Sequence, residues 1–229
     1  MRRLVLFDID GTLLSAAGAG RSAIKQALED VVGPVAAAEH WSFAGKTDPQ
    51  LTRELLLEHG AQLTDIPALV EQVLARYLAH LPAALESVPG AHLKPGVPAL
   101  LDALAAVDGV CTGLLTGNLA TGARLKLAYF GLEQRFVLGA YGSDHADRRE
   151  LPAVAVARAL EVTGHAHNGK EIVIIGDTEH DVRCGAALGV KAIAVATGPY
   201  DATALAAHTP DHVFVDLSDT TRVLRAILT

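Results

Sequence analysis

Apolar residues fall along this chain in short uninterrupted runs, each ending in a polar turn, and between those runs they recur at helical spacing. Leu4 to Phe7 is the first run, and it leads directly into Asp8-Ile9-Asp10-Gly11-Thr12. Consecutive apolar positions read as a strand buried on both faces, so these carboxylates stand at a strand's C-terminal end. The same grammar returns at Thr112 to Leu115 before Thr116-Gly117-Asn118, at Phe136 to Ala140, at Glu171 to Ile175 before Gly176-Asp177, and at Val190 to Ala196 before Thr197-Gly198-Pro199. His212 to Val215 adds an edge strand. Helical patterns lie between them, at about Val97 to Val107, Leu119 to Phe130, Pro152 to Val162 and Glu179 to Leu188, the last closed by Gly189. The alternation predicts an α/β fold built on a doubly wound parallel sheet.

Ser15 to about Val88 breaks the alternation. Arg21 to Val32, Pro49 to His59 and Ile66 to Leu85 read as helices with no convincing strand between them, which predicts a helical insertion. Gly18-Ala19-Gly20 punctuates one border, and Pro89-Gly90 with Pro95-Gly96 the other, so two hinges would let the insertion move as a lid. Ala17-Gly18-Ala19-Gly20-Arg21-Ser22 lacks the spacing of a nucleotide phosphate loop and reads as a hinge. The Ala-rich stretches Val35 to Ala38 and Ala202 to Ala207 follow no fixed period and are ordinary helix-forming sequence.

Composition narrows the class. The chain has 229 residues, 50% hydrophobic and 20% charged, which excludes disorder as the main state and suits one α/β domain with a large insertion or a core plus a smaller domain. Its 19 basic against 26 acidic residues give a net charge of −7, so no basic field exists to hold a nucleic-acid backbone. Cys111 and Cys184 are too few for a disulfide framework or a thiolate zinc site, and the 10 histidines show no zinc-ligand arrangement. The opening MRRLVLFDID fits neither a signal segment nor a membrane span, so a cytoplasmic protein without a membrane partner is expected.

Doubly wound sheets bind ligands outside the carboxyl ends of their strands. There the chain places Asp8 and Asp10, Thr116 and Asn118, Asp177 with Asp181 four residues on, and Arg148 with Arg149, so four carboxylates and two cations are expected to converge. Uncompensated carboxylates repel one another, and a hard divalent cation with oxygen ligands relieves them; magnesium fits best, because it also takes substrate phosphate oxygens. Asp8 and Asp10, at i and i+2 on an extended segment, point the same way, which allows one to attack while the other donates a proton. Gly11 permits the tight turn, and Thr12 can hydrogen-bond the carboxylates or the loop. An Asp-X-Asp-Gly string also occurs in plain turns and calcium loops, but here Leu13 and Leu14 follow instead of further ligands.

FDIDGTLL at 7–14, LLTGN at 114–118 and IIGDTEHD at 174–181 together resemble the first, second and fourth motifs of the haloacid-dehalogenase-like hydrolases, in order and each behind a predicted strand. The resemblance is to the phosphoglycolate phosphatase branch. It implies a Rossmann-like catalytic core over residues 1–14 and 90–229 with an all-helical cap domain over 15–89. It implies that Asp8 is a nucleophile forming an aspartyl-phosphate and that Asp10 is the acid that protonates the leaving group and then activates water. Thr116, the backbone of Gly117, and Asn118 would bind the phosphoryl group. Asp8, the main-chain carbonyl of Asp10, and Asp177 would hold magnesium, with Asp181 a neighbouring acid of the same motif. Thr116 could instead cap the helix that begins near Leu119.

The third motif of the family is usually a Lys before a helix, yet no Lys lies between Ser143 and Leu160. Arg148, chosen over Arg149 by its distance from the helix end, is the expected substitute, an Arg offering a planar fork in place of a point charge. Lys46, in Gly45-Lys46-Thr47, falls where related caps carry a specificity loop and is a candidate for touching an anionic substrate. Trp41 and Phe43 read as cap core. The resulting expectation is a magnesium-dependent phosphatase acting on a small phosphorylated metabolite, as a monomer or homodimer. A phosphomutase of the same superfamily is the alternative. Dehalogenase and phosphonate chemistry are disfavoured by the presence of Asp10, and a phospho-Asp receiver by the helical insertion.

Overall fold

The computed structural model describes residues 2–35 and 40–229; of the Ala-rich stretch at 35–38, positions 36–38 lie outside the described residues. β1 (Arg3–Phe7) shows how the apolar runs make the sheet. Val5 and Phe7 pack into one core, Leu4 and Leu6 into another on the opposite face, and all four are fully buried. A strand covered on both faces needs no polar alternation, which is why it reads as a continuous run.

Among the described residues β1 sits inside a six-stranded parallel sheet with β4 (Val110–Thr116), β5 (Leu138–Tyr141), β6 (Ile172–Gly176), β7 (Lys191–Val195) and β8 (His212–Phe214), in the order β5-β4-β1-β6-β7-β8. The chain runs from β1 to one side through β4 and β5, then returns to β6 on the other side of β1. β1 therefore marks the switch point, and the crevice at its carboxyl end is where this architecture binds ligands. Connecting helices α4 (Val97–Ala105), α5 (Ala120–Tyr129), α6 (Leu151–Thr163) and α7 (Glu179–Cys184) match the expected segments. The helix expected over Glu179 to Leu188 is split, with Ala186–Leu188 a separate 3-10 turn. Gly185 breaks it: its Cβ position is only 2.2 Å from Val190 and 2.7 Å from Ile174, so the backbone packs directly on the sheet. After α8 (Ala202–Ala206), the carboxyl-terminal helix α9 (Thr220–Leu228), not anticipated above, buries Val223, Ala226 and Ile227.

β2 (Leu14–Ser15) pairs antiparallel with β3 (His92–Leu93), Ser15 opposite His92. This short ribbon ties together the exit and return of the insertion, and its return limb begins slightly beyond the expected border at 89–90. Between its limbs lie α1 (Ala19–Val32), α2 (Asp48–Glu58) and α3 (Ile66–Ser87). α1 begins from two left-handed residues, Ala17 (φ 47°) and Gly18 (φ 90°). Trp41 is buried in the core and Phe43 packs against it, as expected. No helix of the described residues is long and apolar enough to cross a membrane.

Candidate active site

β1 ends where the side chains become charged, but its ladder continues one step: the Asp8 N–H donates to Ile175 O at 2.9 Å. Asp8 is thus fixed through its backbone at the switch point, with a buried side chain. Gly11 then turns with a φ of 88°, and a Cβ there would fall 2.2 Å from Asp177 Oδ2. A Cβ on Gly198 would fall 1.7 Å from the same oxygen, so the loops after β1 and β7 close on the Asp177 carboxylate only because both residues are glycine. Thr12 Oγ1 donates to Asp177 Oδ1 at 2.9 Å, and Thr197 Oγ1 to Gly11 O at 2.6 Å, locking the two loops.

Asp8, Asp177 and Asp181 present carboxylate oxygens all within 4.8 Å of one another. Arg148 is the cation set against them, its Nη2 at 2.5 Å from Asp181 Oδ1 and 3.3 Å from Asp8 Oδ1. A 3-10 turn over Arg148–Glu150, capped by the Asp147 side chain, turns Arg148 inward and Arg149 outward. Arg149 is exposed and, among the described residues, ion-pairs with Asp147. Asp181 is also held by Thr178, whose N–H and Oγ1 donate to its Oδ2 at 3.0 and 2.7 Å in a capping box that starts α7.

Burial raises the Asp8 carboxyl to about 6, Arg148 opposing the shift while Asp181 and Asp10 add to it. Asp177 is held well above the usual carboxylate range by burial, then by Asp181 and Asp8. Burial alone would pull Arg148 down, but Asp181 and Asp8 outweigh it and keep the guanidinium charged. One cation therefore does not neutralise the cluster.

Asp10 lies in a different set of contacts. Its Oδ2 accepts from Lys126 Nζ at 2.6 Å and from Asn118 Nδ2 at 2.9 Å, and Lys126 Nζ also donates to Asn118 Oδ1 at 2.6 Å. The second cation at this sheet end is therefore Lys126 of α5 and not Arg149, a correction to the expectation above. Thr116 Oγ1 accepts from the Asn118 N–H at 3.3 Å and from Asn118 Nδ2 at 2.7 Å. Nor does Thr116 cap α5: the Leu119 N–H donates to Asp48 Oδ2 at 2.8 Å, and the Ala120 N–H to Ser143 Oγ at 3.2 Å.

The insertion closes over this crevice through the start of α2. The Asp48 N–H donates to Gly117 O at 2.8 Å, and Thr47 Oγ1 donates to Ala146 O at 2.6 Å. Burial lifts the Asp48 carboxyl to about 6 against the pull of Lys126. A cavity of about 600 Å³ results, with Asp8, Asp10, Thr116, Asp177 and Arg148 on one wall and Arg21, Trp41, Phe43, Lys46 and Tyr77 of the insertion on the other. Lys46 reaches the cavity but is ion-paired with Glu54 at 2.5 Å. Arg21 lies over the Phe43 ring at 4.2 Å and donates to Trp41 O. His180 is exposed on α7.

Asp48 and Lys94 were not singled out as site residues from the sequence, and Lys126 was not placed at Asp10. Lys94 Nζ donates to Thr197 O at 2.6 Å on the cavity rim. Lys126 had a signal, since it falls on the stripe of α5 that includes the buried Gly122 and Ala123, where an unpaired charge is costly.

Fold and site together define a doubly wound α/β enzyme with a carboxylate cluster at its switch point. A model of haloacid dehalogenase-like hydrolases matches residues 2–189. The chain is 31% identical over 191 residues to a phosphoglycolate phosphatase of Cereibacter sphaeroides, covering 82% of each. It is 30% identical over 201 residues to that of Rhodospirillum rubrum, covering 86% of this chain and 81% of the relative. Its fold matches the crystal structure of a predicted phosphoglycolate phosphatase from Haemophilus somnus with a TM-score of 0.72 at 22% identity, covering 97% of this chain and 98% of the other. The chain belongs to the haloacid dehalogenase-like hydrolases, in their phosphoglycolate phosphatase-like branch, and is a phosphatase.

Proposed function

We propose that this phosphatase hydrolyses a small phosphorylated metabolite, of the phosphoglycolate or sugar phosphate type, through an aspartyl-phosphate on Asp8, with magnesium as cofactor and in the cytoplasm. In this reading residues 1–14 and 90–229 form the catalytic core and 15–89 a helical cap. The carrying observation is Asp8 itself: buried at the switch point, 3.3 Å from Arg148, and separate in its contacts from a second carboxylate, Asp10, on the same cavity.

The donor set suits a small hard cation. Three buried carboxylates crowd within 4.8 Å, and Asp177 carries an unrelieved charge penalty beside a single hydroxyl donor. Asp8, Asp177 and the main-chain carbonyl of Asp10 would hold magnesium, with Asp181 adjoining. When bound it offsets the negative charge of acids and phosphate and orients the phosphoryl oxygens.

A carboxylate oxygen of Asp8 attacks phosphorus as the ester P–O bond breaks, and the proton of Asp10 passes to the departing oxygen. Water then attacks the phosphoryl group, giving its proton back to Asp10 while the bond to Asp8 breaks, so phosphate leaves and both carboxyls are restored. Thr116 Oγ1 already accepts twice from Asn118, which frees its own hydrogen for a phosphoryl oxygen, next to the Gly117 backbone. Arg148 balances Asp8 and the incoming dianion. Lys46 is the cap cation offered to an anionic group of the substrate once it exchanges Glu54 for it.

The test is phosphate release by the purified chain from 2-phosphoglycolate and a panel of sugar phosphates, with magnesium and with excess chelator. Release that requires the metal is expected. Full activity in chelator, or no release from any small phosphate ester, defeats the reading.

A further inference from the structure

The contacts of Asp10 point to a residue outside the family's motifs. Lys126, on the second turn of α5, is only 4% exposed, and its ammonium donates at 2.6 Å to both Asp10 Oδ2 and Asn118 Oδ1. Asn118 Nδ2 in turn donates to Asp10 Oδ2 at 2.9 Å, closing a three-membered ring of side chains. Such a buried ammonium is retained only where its charge is met, and here the facing carboxylate belongs to the proposed acid.

We propose that Lys126 is a positioning residue that selects which oxygen of Asp10 carries the proton. This rests on the assignment of Asp10 as the acid. Two donors occupy Oδ2, and no donor among the described residues bonds Oδ1. A carboxyl whose Oδ2 accepts twice must carry its proton on Oδ1, and its rotamer is fixed from behind. The ring also anchors the acid to Asn118, which bonds Thr116, so acid and phosphoryl-binding loop are set relative to each other. The pair meets the charge of the buried ammonium, and through the Asp10 side chain, 43% exposed on the cavity, it also orients a proton donor.

Proton donation matters most when the leaving oxygen is a basic alkoxide and least when it is a nitrophenolate, whose charge the ring already spreads. Lys126→Met and Lys126→Gln are compared with the parent on 2-phosphoglycolate and p-nitrophenyl phosphate, with melting curves for each; Gln, which keeps a donor, serves should Met fold poorly. Loss of oriented acid catalysis should lower kcat on the alkyl ester about 10- to 100-fold and on the aryl ester by less than about threefold, with KM little changed. Lys126→Arg, which keeps the charge, should recover most of the alkyl rate. Equal losses on both esters, or none on either, overturn the inference. Asp10→Ala is measured alongside: if its loss is no larger on the alkyl than on the aryl ester, the acid assignment itself falls, whereas a larger alkyl loss in Asp10→Ala that is absent from both Lys126 variants removes only the role of Lys126.

Discussion

Arg148→Met removes the one guanidinium set between Asp8 and Asp181, at 3.3 and 2.5 Å, while leaving both carboxylates buried. Breaking a buried pair from one side costs about 3 kcal/mol or more, because the remaining charge has nothing to meet it. For a chain of this size that is a fall in melting temperature of about 6–12 °C. The penalty has a definite pH dependence. Asp8 already holds its proton up to about 6 with Arg148 present, and without Arg148 it holds it higher. A carboxyl whose folded value is raised contributes stability below its unfolded value and loses it as pH rises through the folded one, so the gap between variant and parent should be small near pH 5 and widest near about pH 8. Differential scanning calorimetry in chelator at those two pH values measures it. Added magnesium should narrow the gap, since a divalent cation among the same acids replaces part of the lost charge. Activity at saturating magnesium should fall by about 30- to 1000-fold in kcat/KM, whereas Arg149→Ala, on the solvent side, should leave it unchanged. A variant that melts within about 2 °C of the parent in chelator at both pH values would mean that Arg148 does not balance these acids.

Asp8→Asn keeps volume and removes the attacking oxygen, so turnover should drop by several orders of magnitude; a tenth of the parent rate would rule out Asp8 as nucleophile. Asp8 and Asp177 are both held above the ordinary carboxylate range, so magnesium must displace protons to bind, and calorimetric titration in buffers of different ionisation enthalpy should show more protons released near about pH 5.5 than near about pH 8. Asp177→Ala should weaken that binding at either pH, and unchanged affinity would count against Asp177 as a ligand. Asp48 is raised from 3.8 to about 6, so its ionised form destabilises the fold by at most about 3 kcal/mol above that pH. Asp48→Asn, which can still accept from the Leu119 N–H, should therefore be more stable than the parent in urea near neutral pH and equal to it near pH 4; the reverse order would contradict the assigned cause.

The sheet was legible because its inner strands are covered on both faces, which turns each into an uninterrupted apolar run such as Leu4 to Phe7. The acids were legible because such runs stop at charge: Asp8 and Asp177 follow β1 and β6 directly. The β2–β3 ribbon was not, since limbs of two residues carry no periodicity, and α9 was missed although its buried stripe of Val223, Ala226 and Ile227 is amphipathic. Spacing put Asp8 and Asp10 on one side, and both line one cavity, but it could not show that the two carboxylates acquire different cations from different crossovers.

That division matters for the chemistry. A nucleophile must be unprotonated beside a dianion, and an acid must hold a proton at the moment the ester bond breaks; two carboxyls in one environment would titrate as a pair and serve neither role well. Arg148 reaches Asp8 from the loop before α6, and Lys126 reaches Asp10 from α5, with Asn118 and Thr116 between them. Each cation is buried and each belongs to a different crossover of the sheet, so the nucleophile and the acid are held in place by separate parts of the fold. The first of these contacts was legible by pattern, since Arg148 stands where the third motif's cation is expected. Only the three-dimensional placement of α5, whose Lys126 lies on a stripe of small buried residues, exposes the second.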